Sequence, residues 1–363
     1  MSEAELILGL VVATALVFDF TNGFHDTANV VATSISTRAM APRIAVGYAA
    51  ALNFAGAFIS LEVAATIAED VVDPLAITTT VIFAGLIGAI TWNLITWYFG
   101  LPSSSSHALI GGVVGSTFVA AGADAVFGDG ILGKVLIPAL IAPVLAFVVG
   151  GVAIVICYWV VGRQRPGPVS RGFRFGQVAS GGLLALAHGT NDAQKTMGVI
   201  ALALIASGHL GTGEDPPLWV IVSAASAIAL GTYSGGWRII RTMGTRIIKM
   251  DPAQGFSAQG AGAAVILASS HFGFPLSTTQ VIAGGVMGAG AGKRFSAVRW
   301  GVAGNIVTAW VLTLPAAATI GGVTYLVTDL FPGAVGPVLV SAVGLALVAF
   351  AFARRIRQPV PGT

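Results

Sequence analysis

Two stretches of similar sequence carry ionisable side chains into parts of the chain that are otherwise apolar. They are Asn22-Gly23-Phe24-His25-Asp26-Thr27-Ala28-Asn29 and His188-Gly189-Thr190-Asn191-Asp192-Ala193-Gln194-Lys195. Each has an aspartate three residues after a glycine, and the two aspartates are 166 residues apart, from 26 to 192. Carboxylate and carboxamide oxygens together suit a hard cation such as Na⁺, and an aspartate can instead carry a proton.

A proline-containing stretch that leads into hydroxyl side chains also occurs twice. Phe99-Gly100-Leu101-Pro102-Ser103-Ser104-Ser105-Ser106 resembles Phe272-Gly273-Phe274-Pro275-Leu276-Ser277-Thr278-Thr279, and the offset from 99 to 272 is 173 residues. Each copy is followed by Gly-Gly-Val. Two matched landmarks at nearly equal offsets indicate an internal repeat of about half the chain.

We predict that each hydroxyl-rich run opens a helix whose N-terminus binds an oxyanion. Ser and Thr are good N-cap residues, and the free N–H groups of a helix start attract phosphate or sulfate. Ser103–Ser106 and Ser277–Thr279 are therefore candidate substrate-binding residues. Hydroxyl side chains also pack ordinary membrane helices, but two runs at matched positions favour a functional role.

The two aspartate stretches are predicted to interrupt their helices. Gly23 and Gly189 permit unwinding, which would free backbone carbonyls to act as ligands beside Asp26 and Asp192. Asp26 and Asp192 would hold the coupling ion, and they would be the metal ligands if that ion is Na⁺. Asn29 would assist them, and Asn191 would orient the site or bind substrate. The alternative is that each aspartate only caps a broken helix.

Two further ionisable residues lie in apolar stretches, where such side chains usually face a cavity or a pathway. Asp19 is a candidate proton acceptor for coupling, or else a polar packing residue. Lys195 would offset the charge of a bound anion, or it would pair with one of the two aspartates as a structural bridge.

The composition excludes a soluble globular protein. Of the 363 residues, 55% are hydrophobic and 9% are charged, and the mean hydropathy is +0.88. Soluble domains carry about 25% charged residues. Repeated apolar runs are long enough to cross about 30 Å of hydrocarbon. The net charge of +3 comes from basic residues clustered in short loops, which indicates membrane topology and not nucleic-acid binding.

The charges of the loops predict the orientation of the chain. Basic clusters follow the first segment, fill the mid-chain loop 162–174 and close the chain, whereas the loops near 67–76, 209–217 and 326–334 contain acidic residues and no Lys or Arg. Basic loops are cytoplasmic. This places the N-terminus outside and the C-terminus inside, with about 10–12 transmembrane segments.

Residues 1–162 would then cross the membrane an odd number of times, so the second copy starts from the opposite side. The predicted fold is an all-α polytopic membrane protein with two inverted-topology repeats and broken helices or helical hairpins. The repeats would span 1–165 and 166–330, and 331–363 would add a helix and a basic tail. A re-entrant hairpin at 100–123 would change this count.

At these motifs the sequence resembles the inorganic phosphate transporter (Pit) family, and most closely its bacterial low-affinity (PitA) type. The stretch from Gly23 to Met40 resembles the first family signature, and the stretch from His188 to Gly198 resembles the second. Pro275-Leu276-Ser277-Thr278-Thr279 resembles Pro-Val-Ser-Thr-Thr. The resemblance covers nearly the whole chain. It implies symport of phosphate with H⁺ or Na⁺ in the cell membrane, with phosphate carried as a neutral complex with a divalent metal in the PitA type.

The sequence departs from sodium-coupled eukaryotic members at two acidic positions. Asn53 and Gln259 stand where those members have Glu, and Gln280 stands where His is usual in the family. The loss of both acids favours proton coupling. Inorganic phosphate and the lipid bilayer are thus the expected partners, and a homo-oligomer is left open.

Two alternatives remain at this point. The chain could be a sulfate symporter, because both anions are tetrahedral, or an uncoupled anion channel built from the same half-helices. An enzyme is not expected, because no nucleophile–base pair or metal-ligand spacing stands out.

Overall fold

The structure is a computed structural model that describes the backbone of residues 2–356 and the side chains of residues 2–346. Its α-helices, in chain order, are α1 (Glu3–Ser36), α2 (Pro42–Gly56), α3 (Glu62–Glu69), α4 (Thr79–Phe99), α5 (Ser105–Ala121), α6 (Gly128–Gly130), α7 (Ile137–Val161), α8 (Pro166–Ala206), α9 (Leu218–Ser234), α10 (Trp237–Arg241), α11 (Pro252–His271), α12 (Thr278–Lys293), α13 (Trp300–Asp329) and α14 (Val335–Ile356). Two π-helical segments, Ile131–Leu136 and Thr242–Arg246, precede α7 and follow α10. The predicted all-α class is confirmed.

Within the described residues, four helical stretches are long and apolar enough to cross a membrane, namely Glu3–Ser36, Thr79–Phe99, Gly128–Val161 and Trp300–Asp329. Leu218–Ser234 and Trp237–Arg246 form a fifth candidate, which is bent by 59°. Because an apolar helix of this length satisfies its own backbone hydrogen bonds in lipid, these stretches identify a multi-pass membrane protein.

The helices are not interrupted at the two aspartate stretches. α1 runs through Asp26 over 34 residues, and α8 runs through Asp192 over 41 residues. The prediction that Gly23 and Gly189 unwind these helices is therefore wrong. The predicted mid-chain loop, 162–174, is also too long, because α8 already begins at Pro166. Proline is favourable at the first position of a helix.

Gly23 and Gly189 instead allow close approach of neighbouring helices. A Cβ atom built on Gly23 would lie 2.9 Å from the nitrogen of Thr232 and 3.0 Å from Cα of Gly231, both in α9. A Cβ atom built on Gly189 would lie 2.7 Å from Cα of Asn53 in α2. Small residues at membrane helix interfaces let backbones meet in this way. The two glycines thus hold α1 against α9 and α8 against α2.

The breaks occur at the proline stretches, which form two helical hairpins. α4 is followed directly by Gly100 (φ +67°), and Gly273 (φ +71°) lies two residues after the end of α11. Glycine adopts this left-handed conformation without strain. Ser104 and Ser277 are the N-caps of α5 and α12, and each accepts a hydrogen bond from a backbone N–H of the first turn. The predicted helix starts are confirmed.

Each half of the chain covers the hairpin of the other half. α7 packs on α11 and α12, and α13 packs on α4 and α5. These matched contacts agree with an internal duplication, while the inverted orientation of the halves stays a prediction. The additional C-terminal helix is present as α14, and the end of the predicted basic tail, residues 357–363, lies outside the described residues.

Two buried apolar clusters lie on either side of the polar parts of α1 and α8. One contains Val11 and Phe18 of α1 together with Met197 of α8, and the other contains Val30 of α1 together with Leu184 of α8. The aspartate stretches therefore sit between the clusters, where the rigid packing of both helices fixes the positions of their side chains.

Gly23→Ala is expected to destabilise the protein, because the added methyl group would overlap the backbone of α9. Overpacking of a buried site costs about 1–3 kcal/mol. The control is Gly304→Ala in α13, where nothing lies within 4 Å of the added Cβ and where alanine would stabilise the helix by about 0.5–1 kcal/mol. Thermal unfolding of both variants in detergent measures the difference. A Gly23→Ala protein as stable as Gly304→Ala would contradict the close helix contact.

Candidate functional site

Helices α1 and α8 bring the two aspartate stretches together. One carboxylate oxygen each from Asp26 and Asp192, together with one ring nitrogen of His188, all lie within 4.8 Å of one another. The three side chains are buried. Two residues that are 166 positions apart in the sequence therefore share one site.

Asp26 accepts hydrogen bonds from both hydroxyl-rich helix starts. The hydroxyl of Ser105 at the start of α5 donates to Oδ2 of Asp26 at 2.6 Å. The hydroxyl of Thr279 at the start of α12 donates to Oδ1 at 3.2 Å. Nδ1 of His25 also lies 2.6 Å from Oδ1. The first aspartate thus joins the N-termini of the two hairpin helices.

Asp192 has a corresponding hydroxyl partner and, in addition, a lysine. Thr278 donates to Oδ2 of Asp192 at 3.2 Å, and the ammonium group of Lys195 donates to Oδ1 at 2.6 Å. Nε2 of His188 lies 3.2 Å from Oδ2 at an angle outside hydrogen-bond geometry. Since Thr278 is 173 residues after Ser105, the same hydroxyl–aspartate contact occurs in each half.

Asn29 connects the first aspartate stretch to the second hairpin. Its side-chain nitrogen donates to the hydroxyls of Thr279 at 2.9 Å and Thr278 at 3.3 Å. Its side-chain oxygen is buried and has no hydrogen-bond partner among the described residues. A buried acceptor without a partner costs free energy, so this oxygen is available to a ligand.

The hydroxyls of the two predicted runs have different partners. Ser106 donates to the carbonyl oxygen of Leu276 at 2.8 Å, and Ser103 donates to Thr96 at 2.7 Å. Ser104 and Ser277 cap their own helices. The side chains that reach the aspartates are therefore Ser105, Thr278 and Thr279.

Asn191 lies against the second hairpin loop. Its side-chain nitrogen donates to Ser270 at 2.9 Å and to the carbonyl oxygen of Phe274 at 3.1 Å. Its side-chain oxygen has no partner within the described part of the chain. Asn191 therefore positions the hairpin loop that leads into α12 and leaves one free acceptor.

Asp19 is buried one to two helical turns before Asp26. Its carboxylate faces the side chains of Thr196 and Asn22, yet neither oxygen forms a hydrogen bond with a described residue. The side chains of Asn22 and Thr196 also lack partners in the described structure. A cluster of buried polar atoms without partners adjoins the main site.

The residues of the site are buried from solvent. No residue of the two hydroxyl runs is more than 2% exposed, and the same holds for the two aspartates, Asn29, Asn191 and Lys195. The site contains two carboxyl groups, one ammonium group and two histidine rings that lie beside the carboxyl groups. An unpaired buried charge costs several kcal/mol, and binding an anion here therefore requires an additional cation or proton.

Three buried amides that the family resemblance marks as departures, Asn53, Gln259 and Gln280, have neutral hydrogen-bond partners. Asn53 donates to Thr232 at 2.8 Å, and Gln259 donates to Thr33 and Ser34, each at 2.7 Å. The side-chain nitrogen of Gln280 lies 3.4 Å from Nδ1 of His107. Amides at these buried positions add no charge to the site.

Several contacts of the site were not predicted from the sequence. His25 and His188 are among the ionisable side chains that the sequence places in the two aspartate stretches, but no role was predicted for them. Gln194 accepts hydrogen bonds from the backbone N–H groups of Val63 and Ala64, which anchors α3 on α8. The carbonyl oxygen of Leu276 has no signal in the sequence, because every residue has a carbonyl group.

Comparison with known proteins agrees with this architecture. Residues 22–170 and 162–321 match the Phosphate transporter family, and the two matched segments together cover most of the chain. A solved structure described as "The sodium-dependent phosphate transporter" shares the fold, with a TM-score of 0.80 over 90% of this chain and 100% of that chain, at 24% sequence identity.

Curated relatives extend over most of the chain. A probable low-affinity inorganic phosphate transporter of Mycobacterium leprae is 55% identical over 91% of this chain and 80% of its own length. The proteins of the same description from Mycobacterium tuberculosis H37Rv and Rhizobium meliloti are 51% and 49% identical. The match to the Mycobacterium tuberculosis protein extends over 100% of this chain and 87% of that protein. The match to the Rhizobium meliloti protein extends over 90% of this chain and 97% of that protein. These relatives are named as transporters and not as enzymes. The chain is therefore a multi-pass membrane transporter that belongs to the Phosphate transporter family.

Proposed function

We propose that this protein is a secondary active symporter that imports inorganic phosphate together with protons. The observation that carries the proposal is the closed site in which Asp26 and Asp192 meet the N-termini of α5 and α12. Helix N-termini and hydroxyl groups are suited to phosphate oxygens. The printed names of the curated relatives, probable low-affinity inorganic phosphate transporters, support the same substrate.

Phosphate would replace the hydrogen bonds that the hydroxyls now make with the aspartates. Ser105, Ser106, Thr278 and Thr279 lie at the first turns of α5 and α12, where free backbone N–H groups are also available. Ser103, Ser104 and Ser277 would keep these helix starts in place. Asn191 would orient the second hairpin loop toward the substrate.

The coupling proton would reside on the pair formed by His25 and Asp26. A proton on either member neutralises one negative charge at the place where phosphate adds more, so binding of the two is linked. Asp19 is a second proton acceptor, because its carboxylate has no hydrogen-bond partner among the described residues. Sodium at Asp26 and the free oxygen of Asn29 is the alternative, and the neutral Asn53 and Gln259 favour the proton.

Divalent metal would accompany phosphate as a neutral complex. Such a complex brings less negative charge into a site that already contains two carboxylates, which lowers the cost of burial. Alternating access would proceed by rocking one repeat assembly against the other around the closed site. Burial of the site residues also favours a transporter over a continuously open channel.

Asp26→Asn and Asp192→Asn are each expected to reduce phosphate uptake about tenfold or more, because each loses a charged partner of the hydroxyl-rich helix starts. We would measure radioactive phosphate uptake into proteoliposomes, with proton and sodium gradients imposed separately and with Mg²⁺ or a chelator.

Asp19→Asn should lose proton-driven accumulation and keep phosphate exchange. An excess of sulfate serves as the competitor.

Four outcomes would each correct a separate part of the proposal. Unchanged uptake in both aspartate variants would refute the proposed site. Uptake driven only by a sodium gradient would identify sodium, and not the proton, as the coupling ion. Competition by sulfate as strong as that by phosphate would change the substrate. Flux independent of both gradients would indicate a channel.

Ser105→Ala is expected to lower phosphate uptake about tenfold, since a hydrogen bond to a charged group contributes about 1.5–3 kcal/mol. The matched control is Ser116→Ala in the same helix, where the hydroxyl donates only to the carbonyl oxygen of Val113. Uptake at several phosphate concentrations separates binding from turnover. Equal uptake by the two variants would remove α5 from the substrate site.

The N-terminus is proposed to lie outside the cell and the mid-chain loop in the cytoplasm. In a Cys157→Ala background, cysteines would be placed singly at the exposed positions Thr212 and Gln164. A membrane-impermeant maleimide should label position 212 in intact cells and position 164 only after permeabilisation. The reverse pattern would invert the orientation.

A further inference from the structure

Lys195 places a cation inside the second half of the site. Its side chain is 0% exposed, and its ammonium group lies 2.6 Å from Oδ1 of Asp192 and 2.9 Å from the carbonyl oxygen of Leu276. Leu276 belongs to the hairpin loop that precedes α12, where the chain leaves helical geometry. The partners of the ammonium group are therefore a carboxylate and a carbonyl oxygen that helix breaking has exposed, which are also the ligands of a monovalent metal cation.

The first half of the site is built in the same way but holds an amide at the matching position. Asn29 follows Asp26 by three residues, as Lys195 follows Asp192. Asn29 donates to two threonine hydroxyls, and its oxygen is left without a described partner. Within the described residues, no Lys or Arg lies within ion-pair distance of Asp26.

The two carboxylates share one hydroxyl contact and differ in their other partners. Ser105 contacts Asp26 as Thr278 contacts Asp192. Asp26 has in addition the hydroxyl of Thr279 and the ring of His25, whereas Asp192 has the ammonium group of Lys195. Among the described side chains, a permanent counter-charge lies beside the second carboxylate alone. A buried carboxylate without one must be neutralised when the site closes, whereas the cation on Lys195 is covalently attached and cannot be released.

We infer that Lys195 is a built-in cation that takes, in the second half, the place of a mobile coupling cation. Of the two aspartates, only Asp26 then binds a cation from solution and releases it again. This inference rests on the proposed symport function, because it assigns the coupling ion to one of two equivalent positions. It also gives Asp192 a fixed charge balance throughout the transport cycle.

The test gives the second half the residue that the first half carries. Lys195→Asn removes the built-in cation and supplies an amide oxygen, and Lys195→Gln does the same with a longer side chain. The matched control is Lys249→Asn, which removes an exposed lysine from a basic loop. Thermal unfolding of each purified protein is measured at one pH in sodium chloride, lithium chloride, potassium chloride and choline chloride of equal ionic strength.

Lys195→Asn should be stabilised by one of the metal cations relative to choline, with a rise in Tm of about 2 °C or more. The wild type and Lys249→Asn should show no such rise in Tm, because the ammonium group of Lys195 occupies the position beside Asp192 in both proteins. In proteoliposomes, phosphate uptake by Lys195→Asn should fall about tenfold when choline replaces that cation. Proton-driven uptake by the wild type should persist in choline.

Folded Lys195→Asn and Lys195→Gln proteins with the same Tm in all four salts would overturn the inference. Failure of both variants to fold in every one of these salts would also overturn it, because the position would then accept only a covalently held ammonium group. Absence of phosphate uptake by the wild type would instead refute the proposed symport. The stability measurement decides the role of Lys195 in that case as well.

Discussion

The structure depends on the meeting of two buried carboxylates inside an apolar protein. Asp26 and Asp192 approach each other together with His188, and neither is exposed to solvent. Two negative charges in such surroundings are unfavourable unless hydrogen bonds and counter-charges satisfy them. The hydroxyl-rich helix starts, His25 and Lys195 meet this need, so the elements that carry them are fixed relative to one another.

Unbroken helices and broken hairpins share this task. α1 and α8 stay helical through the aspartate stretches, and glycines bring them against α9 and α2. The hairpins α4–α5 and α11–α12 supply the exposed backbone groups. Rigid helices can thus hold the carboxylates in place between two apolar clusters, while the helix starts that face them retain free N–H groups for an anion.

The two halves are alike in construction but not in charge. Ser105 and Thr278 make equivalent contacts, whereas Asn29 and Lys195 occupy matched positions with different charges. A duplicated site can therefore assign one half to a permanent cation and the other to an exchangeable one. Under the proposed symport, this asymmetry would limit the number of ions that move with the substrate.

The sequence by itself determined the membrane class, the duplication and the opening of a helix at each hydroxyl-rich run, and it predicted most of the residues that meet in the candidate site. These follow from local composition and spacing, because proline, serine and apolar runs act on the nearby backbone. Only the tertiary structure decided that Gly23 and Gly189 pack helices together and do not break them, since that depends on the distant residues Thr232 and Asn53. It likewise paired Lys195 with Asp192 and Leu276, because the carbonyl oxygen that receives the ammonium group belongs to a loop 81 residues away in the chain.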